Sequence, residues 1–336
     1  MSPQFVDFDQ DGRVDIVAGT FDGSPHVAFA GADGFQQPEQ ILDKDGRRIV
    51  LNQFWNFESK EWDSTRRFDP PGLEGEGHGT SAWAVDWDGD SDLDLLLGDY
   101  DGGRLFLRKN ESGGAGRSFA TSNEPVFAGG SVLEMPSKLG TVRVIDWDND
   151  GRFDLLLSTM GDAYGDEKGG GVYLCRNRGR RGAPEFDSPE ALIPPGAKRG
   201  GAVPLRPDSG LYADADDADG DGDLDLIVGG RSHLKPEAPR LDEDRRARLA
   251  ELRERQKKLT GKLAEMNRVL YANDEGLAGQ EFRKAVEQRM GRQRSEREKV
   301  EKALAPIREE IERLSPSARQ ETFVWFYENL AARSER

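Results

Sequence analysis

Residues 146–157 read Asp-Trp-Asp-Asn-Asp-Gly-Arg-Phe-Asp-Leu-Leu-Leu, and this stretch decides the fold. Aspartates occupy positions 1, 3 and 5 of the pattern, a glycine follows at position 6, and a last aspartate stands at position 9. The apolar run that comes next has the length and composition of a buried strand. The stretch therefore predicts an acidic turn that leads directly into a β-strand.

The same pattern occurs four times along the chain, which makes it a structural repeat. Its aspartates are Asp7, Asp9, Asp11 and Asp15; Asp86, Asp88, Asp90 and Asp94; Asp146, Asp148, Asp150 and Asp154; and Asp217, Asp219, Asp221 and Asp225. Successive first aspartates lie 79, 60 and 71 residues apart (86 − 7, 146 − 86 and 217 − 146). Each interval has room for a four-stranded blade, so the spacing predicts a β-propeller.

Each loop has the ligand types that calcium prefers, since this ion takes six to eight oxygens at about 2.3–2.6 Å. In this interpretation positions 1, 3 and 5 each offer a carboxylate, position 9 closes the shell as a bidentate ligand, and position 7 offers its backbone carbonyl. The residues at position 7 are Arg13, Asp92, Arg152 and Asp223. The alternative is a solvated turn that binds nothing, but neighbouring carboxylates repel one another unless a cation lies between them. We expect three to four bound calcium ions.

Position 6 reverses the backbone and favours glycine, because a left-handed conformation costs other residues energy. The second copy has Ser91 there. We therefore expect slight strain in the second loop without loss of a ligand.

The loop with its following strand and glycine, as in Asp217 to Gly229, resembles the FG-GAP and VCBS repeats of the integrin-α N-terminal propeller type. The resemblance covers residues 3 to about 235 and 321 to 329, and is strongest to secreted bacterial proteins. It implies an all-β fold, a β-propeller of about four four-stranded blades with calcium bound inside the blades. The chain departs from the pattern at Ser91 and at Ser158, where the other copies end the strand with glycine.

The fourth copy is interrupted after its second strand by a charged segment with helical character. A strand-like run returns at Thr322 to Tyr327, and the following Glu328-Asn329 matches Arg176-Asn177 and Lys109-Asn110 after the corresponding strands. We therefore predict a propeller formed by residues 1–235 and 320–336. Residues 236–319 are predicted to be an α-helical hairpin inserted between the second and third strands of the last blade.

Within that insertion, about Leu241 to Leu314, the apolar residues follow coiled-coil spacing. They are Leu249, Leu252, Leu259, Leu263, Met266 and Leu270 on the first arm and Met290, Val300, Leu304, Ile307, Ile311 and Leu314 on the second. Asp242 is a candidate N-cap and Ser315-Pro316 a candidate end. Pro306 is expected to kink or break the second arm.

Composition limits the function. Lys and Arg number 47 and Asp and Glu 63, a net charge of −16, which excludes the concentrated basic surface of a nucleic-acid-binding protein. No apolar run is long enough to span a membrane. The single Cys175 rules out an internal disulfide and is expected to be a core residue.

Calcium loops of this kind point to an extracellular, periplasmic or cell-surface location. Met1-Ser2-Pro3 leads into the first strand with no signal peptide, so we expect the chain to be truncated there. Whether the propeller closes with four blades or lacks earlier ones stays open.

Two function classes remain. We favour a non-enzymatic recognition or adhesion propeller that binds a protein or glycan on the face opposite the calcium loops, with the helical hairpin docking a partner or mediating oligomerisation. The loops of that face include residues 78–81, 136–141 and 204–210. The alternative is a calcium-dependent lyase or hydrolase acting on a polysaccharide or lipid, but no nucleophile and base stand at a recognisable spacing. Trp55 and Trp62 are candidates for an exposed ligand surface, whereas Trp87 and Trp147 are expected to pack between blades.

Overall fold

A computed structural model describes residues 3–51, 53–64, 79–114, 116–162, 169–196, 201–272, 276 and 279–329. His78 and residues 330–336, which the sequence assigned to the propeller, lie outside the described residues. The contacts divide the chain into two compact units. One contains residues 1–199, 204–233 and 320–336, and the other contains residues 200–203 and 234–319.

The structure is mostly β, with two helices near the end of the chain. The strands before the helices are β1 (Pro3–Val6), β2 (Asp15–Gly19), β3 (Pro25–Ala28), β4 (Ala30–Gly31), β5 (Gly34–Phe35), β6 (Glu39–Gln40), β7 (Gln53–Asn56), β8 (Glu61–Ser64), β9 (Gly79–Val85), β10 (Asp94–Asp99), β11 (Leu105–Arg108), β12 (Glu124–Pro125), β13 (Phe127–Ala128), β14 (Ser131–Val132), β15 (Leu139–Ile145), β16 (Asp154–Thr159), β17 (Val172–Cys175), β18 (Glu190–Ile193), β19 (Ser209–Asp216) and β20 (Asp225–Leu234). Helices α1 (Glu243–Leu270) and α2 (Gly279–Leu314) follow, and then strand β21 (Arg319–Tyr327).

Four antiparallel sheets carry the four acidic repeats. Sheet 1 has the order β1-β2-β3-β6, sheet 2 β9-β10-β11-β12, sheet 3 β15-β16-β17-β18 and sheet 4 β19-β20-β21. Two-stranded ladders β4-β5, β7-β8 and β13-β14 lie in the connections. Strand β17 is the third strand of sheet 3, and the two-residue β12 is the outer strand of sheet 2.

Hydrophobic clusters join successive sheets. Leu95 on β10 packs in the cluster between sheets 1 and 2, and its neighbour Leu96 packs in the cluster between sheets 2 and 3. On β16, Leu155 packs in the cluster between sheets 2 and 3, and Leu156 packs in the cluster between sheets 3 and 4. Successive side chains of a strand point to opposite faces, so a strand covered on both faces needs a continuous apolar run. This explains the Leu-Leu-Leu run after the second and third loops.

Aromatic residues at position 2 of the loops also belong to these clusters. Phe8 packs between sheets 1 and 2, Trp87 between sheets 2 and 3, and Trp147 between sheets 3 and 4. The prediction that Trp87 and Trp147 pack between sheets is confirmed. Cys175 is fully buried on β17, also as predicted.

The second unit is an antiparallel pair of helices. Asp242 caps α1, and its side chain accepts the backbone N–H of Arg245 at 2.9 Å, as predicted. The seam contains Leu249, Leu252, Ile307 and Leu314, and Arg248 donates two hydrogen bonds of 2.9 Å to Glu310 across the pair.

Helix α2 runs through Pro306 without a break, because the packed seam on both sides of it outweighs one lost hydrogen bond. Of the two outcomes expected at Pro306 the break is therefore wrong, and the kink stays a prediction. A second expectation is also corrected. Met290, assigned to the seam, has 46% of its surface exposed. Among the described residues, no helix combines the length and apolar character that a membrane span requires.

Candidate metal centres

Each acidic loop connects the first two strands of one sheet, in the same register. The residue just before position 1 pairs with the position 9 aspartate: Val6 with Asp15, Val85 with Asp94, Ile145 with Asp154, and Asp216 with Asp225. All four loops are therefore hairpin connections of equal length that begin and end at one ladder pair. The spacing of the aspartates determines which of them face one another.

The aspartate at position 1 organises the turn. Asp7 accepts the backbone N–H groups of Asp11 and Gly12 at 3.0 and 2.9 Å. Asp146 repeats this with Asp150 and Gly151, at the same distances. Such side-chain to backbone bonds hold the loop compact before any ion binds.

Two positions of every loop adopt a left-handed backbone. Position 6 has φ of +89° at Gly12, +83° at Gly151, +96° at Gly222 and +75° at Ser91. The strain predicted for the second loop is therefore present at Ser91. Position 4 is also left-handed, at Gln10, Gly89, Asn149 and Gly220. This second reversal was not predicted from the sequence, although glycine and asparagine at position 4 are a known signal for it.

Three carboxylates converge in each loop, with one oxygen from each lying within 4.8 Å of the others. The groups are Asp7, Asp9 and Asp15; Asp86, Asp88 and Asp90; Asp146, Asp148 and Asp154; and Asp217, Asp219 and Asp221. Positions 1 and 3 contribute in every loop. The third member is position 9 in the first and third loops and position 5 in the second and fourth.

The residue type at position 7 correlates with which aspartate is the third member of the group. In the first and third loops position 7 is arginine, and its guanidinium donates to the position 5 carboxylate: Arg13 to Asp11 and Arg152 to Asp150. In the second and fourth loops position 7 is Asp92 or Asp223, which offers no such cation. Arginine side chains therefore engage the position 5 aspartate in two loops, a role that the sequence analysis did not foresee.

Asp92, at position 7 of the second loop, accepts hydrogen bonds from the segment that follows β11. Its Oδ2 accepts the N–H and the hydroxyl of Ser112 at 3.1 and 3.0 Å and the N–H of Gly113 at 2.8 Å. Its Oδ1 is buried and has no hydrogen-bond partner among the described residues. Burial raises the pKa of the Asp92 carboxyl, although its hydrogen bonds act in the opposite direction. Asp88 Oδ1 is likewise buried without a hydrogen bond within the described part of the chain.

The position 9 aspartates are almost fully buried and tie three strands together. Asp94 Oδ2 accepts the N–H of Trp87 in its own loop at 3.1 Å, and Oδ1 accepts the N–H of Asn110, beyond the third strand of the sheet, at 2.7 Å. The other three have the same two bonds: Asp15 with Phe8 and Ala30, Asp154 with Trp147 and Asn177, and Asp225 with Ala218 and Asn329. Every position 9 carboxylate thus accepts backbone amides with both oxygens.

Burial has an electrostatic cost at these positions. It raises the pKa of the Asp94 carboxyl to about 7, with a smaller contribution from the neighbouring Asp88 and Asp92 charges. Burial also raises the pKa of Asp154. The bidentate coordination predicted for position 9 stays a prediction, because each oxygen already accepts one amide and retains only its remaining lone pair for a metal.

The donor set fits a hard divalent cation. Its side-chain donors within the described part of the chain are carboxylate oxygens, held close together on hydrogen-bonded turns, and they include the buried Asp88 Oδ1, which has no hydrogen-bond partner among the described residues. Such a set matches the oxygen preference of calcium or magnesium and lacks the nitrogen and sulfur ligands of zinc sites. The aspartate groups can therefore hold metal ions.

Comparison with known families agrees with the loop geometry. Residues 86–157 match the FG-GAP-like repeat, from the first aspartate of the second loop to the strand after the third loop. This chain contains an FG-GAP-like repeat. The matched FG-GAP-like segment includes two of the four loops and strands β10, β11 and β12 of sheet 2, and the same loop geometry recurs outside it in sheets 1 and 4. No curated protein matches the chain.

Proposed function

We propose that this chain is a calcium-stabilised, extracellular recognition or adhesion module whose four sheets are blades of a β-propeller. The observation that carries the proposal is the fourfold recurrence of one loop, with three converging carboxylates and the same pair of amide bonds at position 9. A common ligand would explain why four acidic turns share this register.

Electrostatics support calcium as that ligand. A cluster of carboxylates within one loop is repulsive, and a divalent cation converts the repulsion into attraction. Four ions would change the net charge from −16 to −8 (−16 + 4 × 2). Open loops of this type suit the calcium concentrations found outside the cytosol, which supports an extracellular location.

The proposal of a propeller is supported by the order in which the sheets pack against one another. The first strands β9, β15 and β19 of sheets 2, 3 and 4 contact in turn, and β9 also contacts β1 and β2 of sheet 1. Each sheet is thus followed by the next one along the chain, face against face, with a hydrophobic cluster between them. This succession of packed sheets supports the proposal that they are consecutive blades.

The recognition role rests on the ends of the sheets opposite the acidic loops. The connections there differ from one another in length and composition, and one of them leads into the helical hairpin. A rigid scaffold with variable connections is typical of binding proteins. We propose a protein or glycan partner for this end, and partner docking or oligomerisation for the helical hairpin.

A binding role is favoured over an enzymatic one. The aspartates that dominate the sequence accept backbone amides or converge on the metal positions, and a carboxylate neutralised by calcium is a poor general base.

The test is a thermal melt in calcium and in chelator, combined with native mass spectrometry to count ions. We expect three to four calcium ions and a melting temperature at least about 10 °C higher than in chelator, because a ligand that binds only the folded state stabilises it. Magnesium at the same concentration is the control, and its stricter octahedral geometry should give a smaller shift. A chain that takes up no calcium, or melts at one temperature in both buffers, contradicts the proposal.

A further inference from the structure

An aromatic cleft of about 560 Å³ lies at the end of sheet 1 opposite its acidic loop. The turn between β2 and β3 forms one side, and the β7–β8 hairpin forms the other. Its walls and floor include Phe21, Trp55, Phe57, Trp62, Asp22 and His26. The volume is within the range of small-ligand sites.

The walls present aromatic rings to solvent. Phe21, Phe57 and Trp62 have 66%, 67% and 39% of their surfaces exposed. Trp55 and Trp62 face each other across the β7–β8 ladder with ring centres 5.6 Å apart, and Phe21 meets Trp62 at 6.0 Å. Exposed aromatic rings gathered around one concavity are typical of a binding surface.

Buried polar contacts hold this hairpin in place. The N–H of Trp55 donates to the backbone carbonyl of Asp22 at 2.8 Å. The Arg48 guanidinium donates to the Trp55 carbonyl at 3.2 Å and lies over the Phe54 ring, 4.6 Å from its centre. The same guanidinium reaches Asp22 Oδ2 at 3.4 Å, so one ion pair connects the two sides of the cleft.

The floor can hydrogen-bond a ligand. Only 4% of the Asp22 side chain is exposed, and its Oδ1 accepts the N–H and the hydroxyl of Ser24 at 3.1 and 2.9 Å. Its Oδ2 has longer contacts, 3.4 Å to Arg48, 3.5 Å to the Gln40 side-chain amide and 3.7 Å to His26 Nε2. These distances exceed those of an optimal hydrogen bond and leave Oδ2 capacity to accept a hydroxyl.

The charges of the floor select a neutral ligand. Arg48 balances Asp22, so a cation entering the cleft would find no net negative charge. An entirely apolar ligand would displace water from Asp22 and His26 without replacing its hydrogen bonds. The surface instead matches a molecule with an apolar face for the rings and hydroxyl groups for the floor.

We propose that this cleft binds a neutral pyranose unit of an oligosaccharide or polysaccharide. The C–H face of the sugar packs on the rings of Trp62 and Phe57, and a ring hydroxyl donates to Asp22 Oδ2. The inference rests on the recognition role proposed above and names the ligand class of the end of the sheets opposite the calcium loops.

The test measures binding of the full chain, in calcium, to immobilised neutral oligosaccharides of glucose, galactose, mannose, xylose and N-acetylglucosamine. We expect binding to at least one series, weakened at least about tenfold by Phe57→Ala and by Trp62→Ala. Phe35→Ala is the matched control, because Phe35 is 51% exposed on β5 and does not line the cleft. Melting curves of the variants exclude loss of fold, and Phe57, with most of its surface exposed, is the safer substitution.

Sulfated sugars, choline and a proline decapeptide are included in the same assay. Preferential binding to any of these, absence of binding to every neutral series, or glycan binding that Phe57→Ala and Trp62→Ala leave intact overturns the inference. The calcium melt reports separately on the metal sites. A calcium-stabilised chain without glycan binding refutes the cleft alone, whereas cleft-dependent glycan binding with no calcium effect refutes the metal proposal alone.

Discussion

Asn329 donates its backbone N–H to Oδ1 of Asp225 at 2.8 Å, although 104 residues separate the two. Asp225 closes the fourth acidic loop, and Asn329 follows β21, the strand after the helical hairpin. The bond repeats those of Asn110 with Asp94 and Asn177 with Asp154. The fourth repeat is therefore completed by a strand that returns only after the insertion.

This bond predicts different roles for the aspartates at positions 9 and 3. Asp225→Ala leaves the N–H groups of Ala218 and Asn329 without their acceptor, so we expect it to lower the unfolding free energy by about 2–4 kcal/mol even in chelator. Asp219→Ala is the matched control, because Asp219 accepts a long 3.2 Å bond from the Asp221 N–H on an exposed loop. It should lower calcium affinity and lower the stability in chelator by at most about 1 kcal/mol, less than Asp225→Ala does. Urea unfolding with and without calcium measures both. Equal losses for the two variants in chelator would refute the structural role of position 9.

The raised pKa of Asp94 predicts how the metal-free protein responds to pH. Its folded value is about 7, against an ordinary value of 3.8, so the protonated form is favoured in the fold. The associated stability is fully present below the ordinary value and is lost as the pH rises through about 7. In chelator the melting temperature should therefore fall between about pH 4 and about pH 7.

Calcium should oppose that fall. The ion binds the deprotonated carboxylates, so the gap between the melts in calcium and in chelator widens as the pH rises. Asp94→Asn is the control, because it removes the titrating group and should flatten the pH slope in chelator. A slope that persists in this variant would assign the effect to other groups.

The backbone at position 6 predicts opposite effects in two loops. Ser91 has a φ of +75°, so Ser91→Gly should relieve strain and raise stability by up to about 1 kcal/mol. Gly151 has a φ of +83°, and Gly151→Ala should lower stability by about 1 kcal/mol. Thermal unfolding in chelator separates these backbone effects from metal binding. The same sign of change in both variants would refute strain at position 6.

The position of the insertion predicts that the helical hairpin is dispensable for the sheets. Strands β20 and β21 are hydrogen-bonded neighbours, so a short Gly-Ser turn can replace residues 236–319. We expect the shortened chain to keep its β circular-dichroism spectrum and calcium-dependent melt. A change in oligomeric state, measured by light scattering, would assign assembly to the hairpin. Unfolding of the shortened chain would mean instead that the hairpin stabilises the sheets.

Much of the fold could be predicted from the spacing of aspartates and apolar residues along the sequence. The aspartate register and the apolar runs predicted the second strand of every sheet, and Phe323 to Tyr327 predicted the returning strand. Local spacing is informative here because a hairpin loop of fixed length determines which residues pair. The sequence did not predict that α2 continues through Pro306, since the contacts that keep this helix continuous come from α1.

The sequence alone determined where the acidic turns lie, which strands follow them, and that the helical segment interrupts the fourth repeat. Only the tertiary structure decided that position 9 carboxylates accept amides from beyond the third strand of the sheet, and that Trp62, paired with Trp55, also meets Phe21 beside Asp22. The physical reason is the distance along the sequence between the residues that contact each other. A turn or a strand depends on neighbours a few residues away, whereas these contacts join segments whose proximity depends on how the sheets pack.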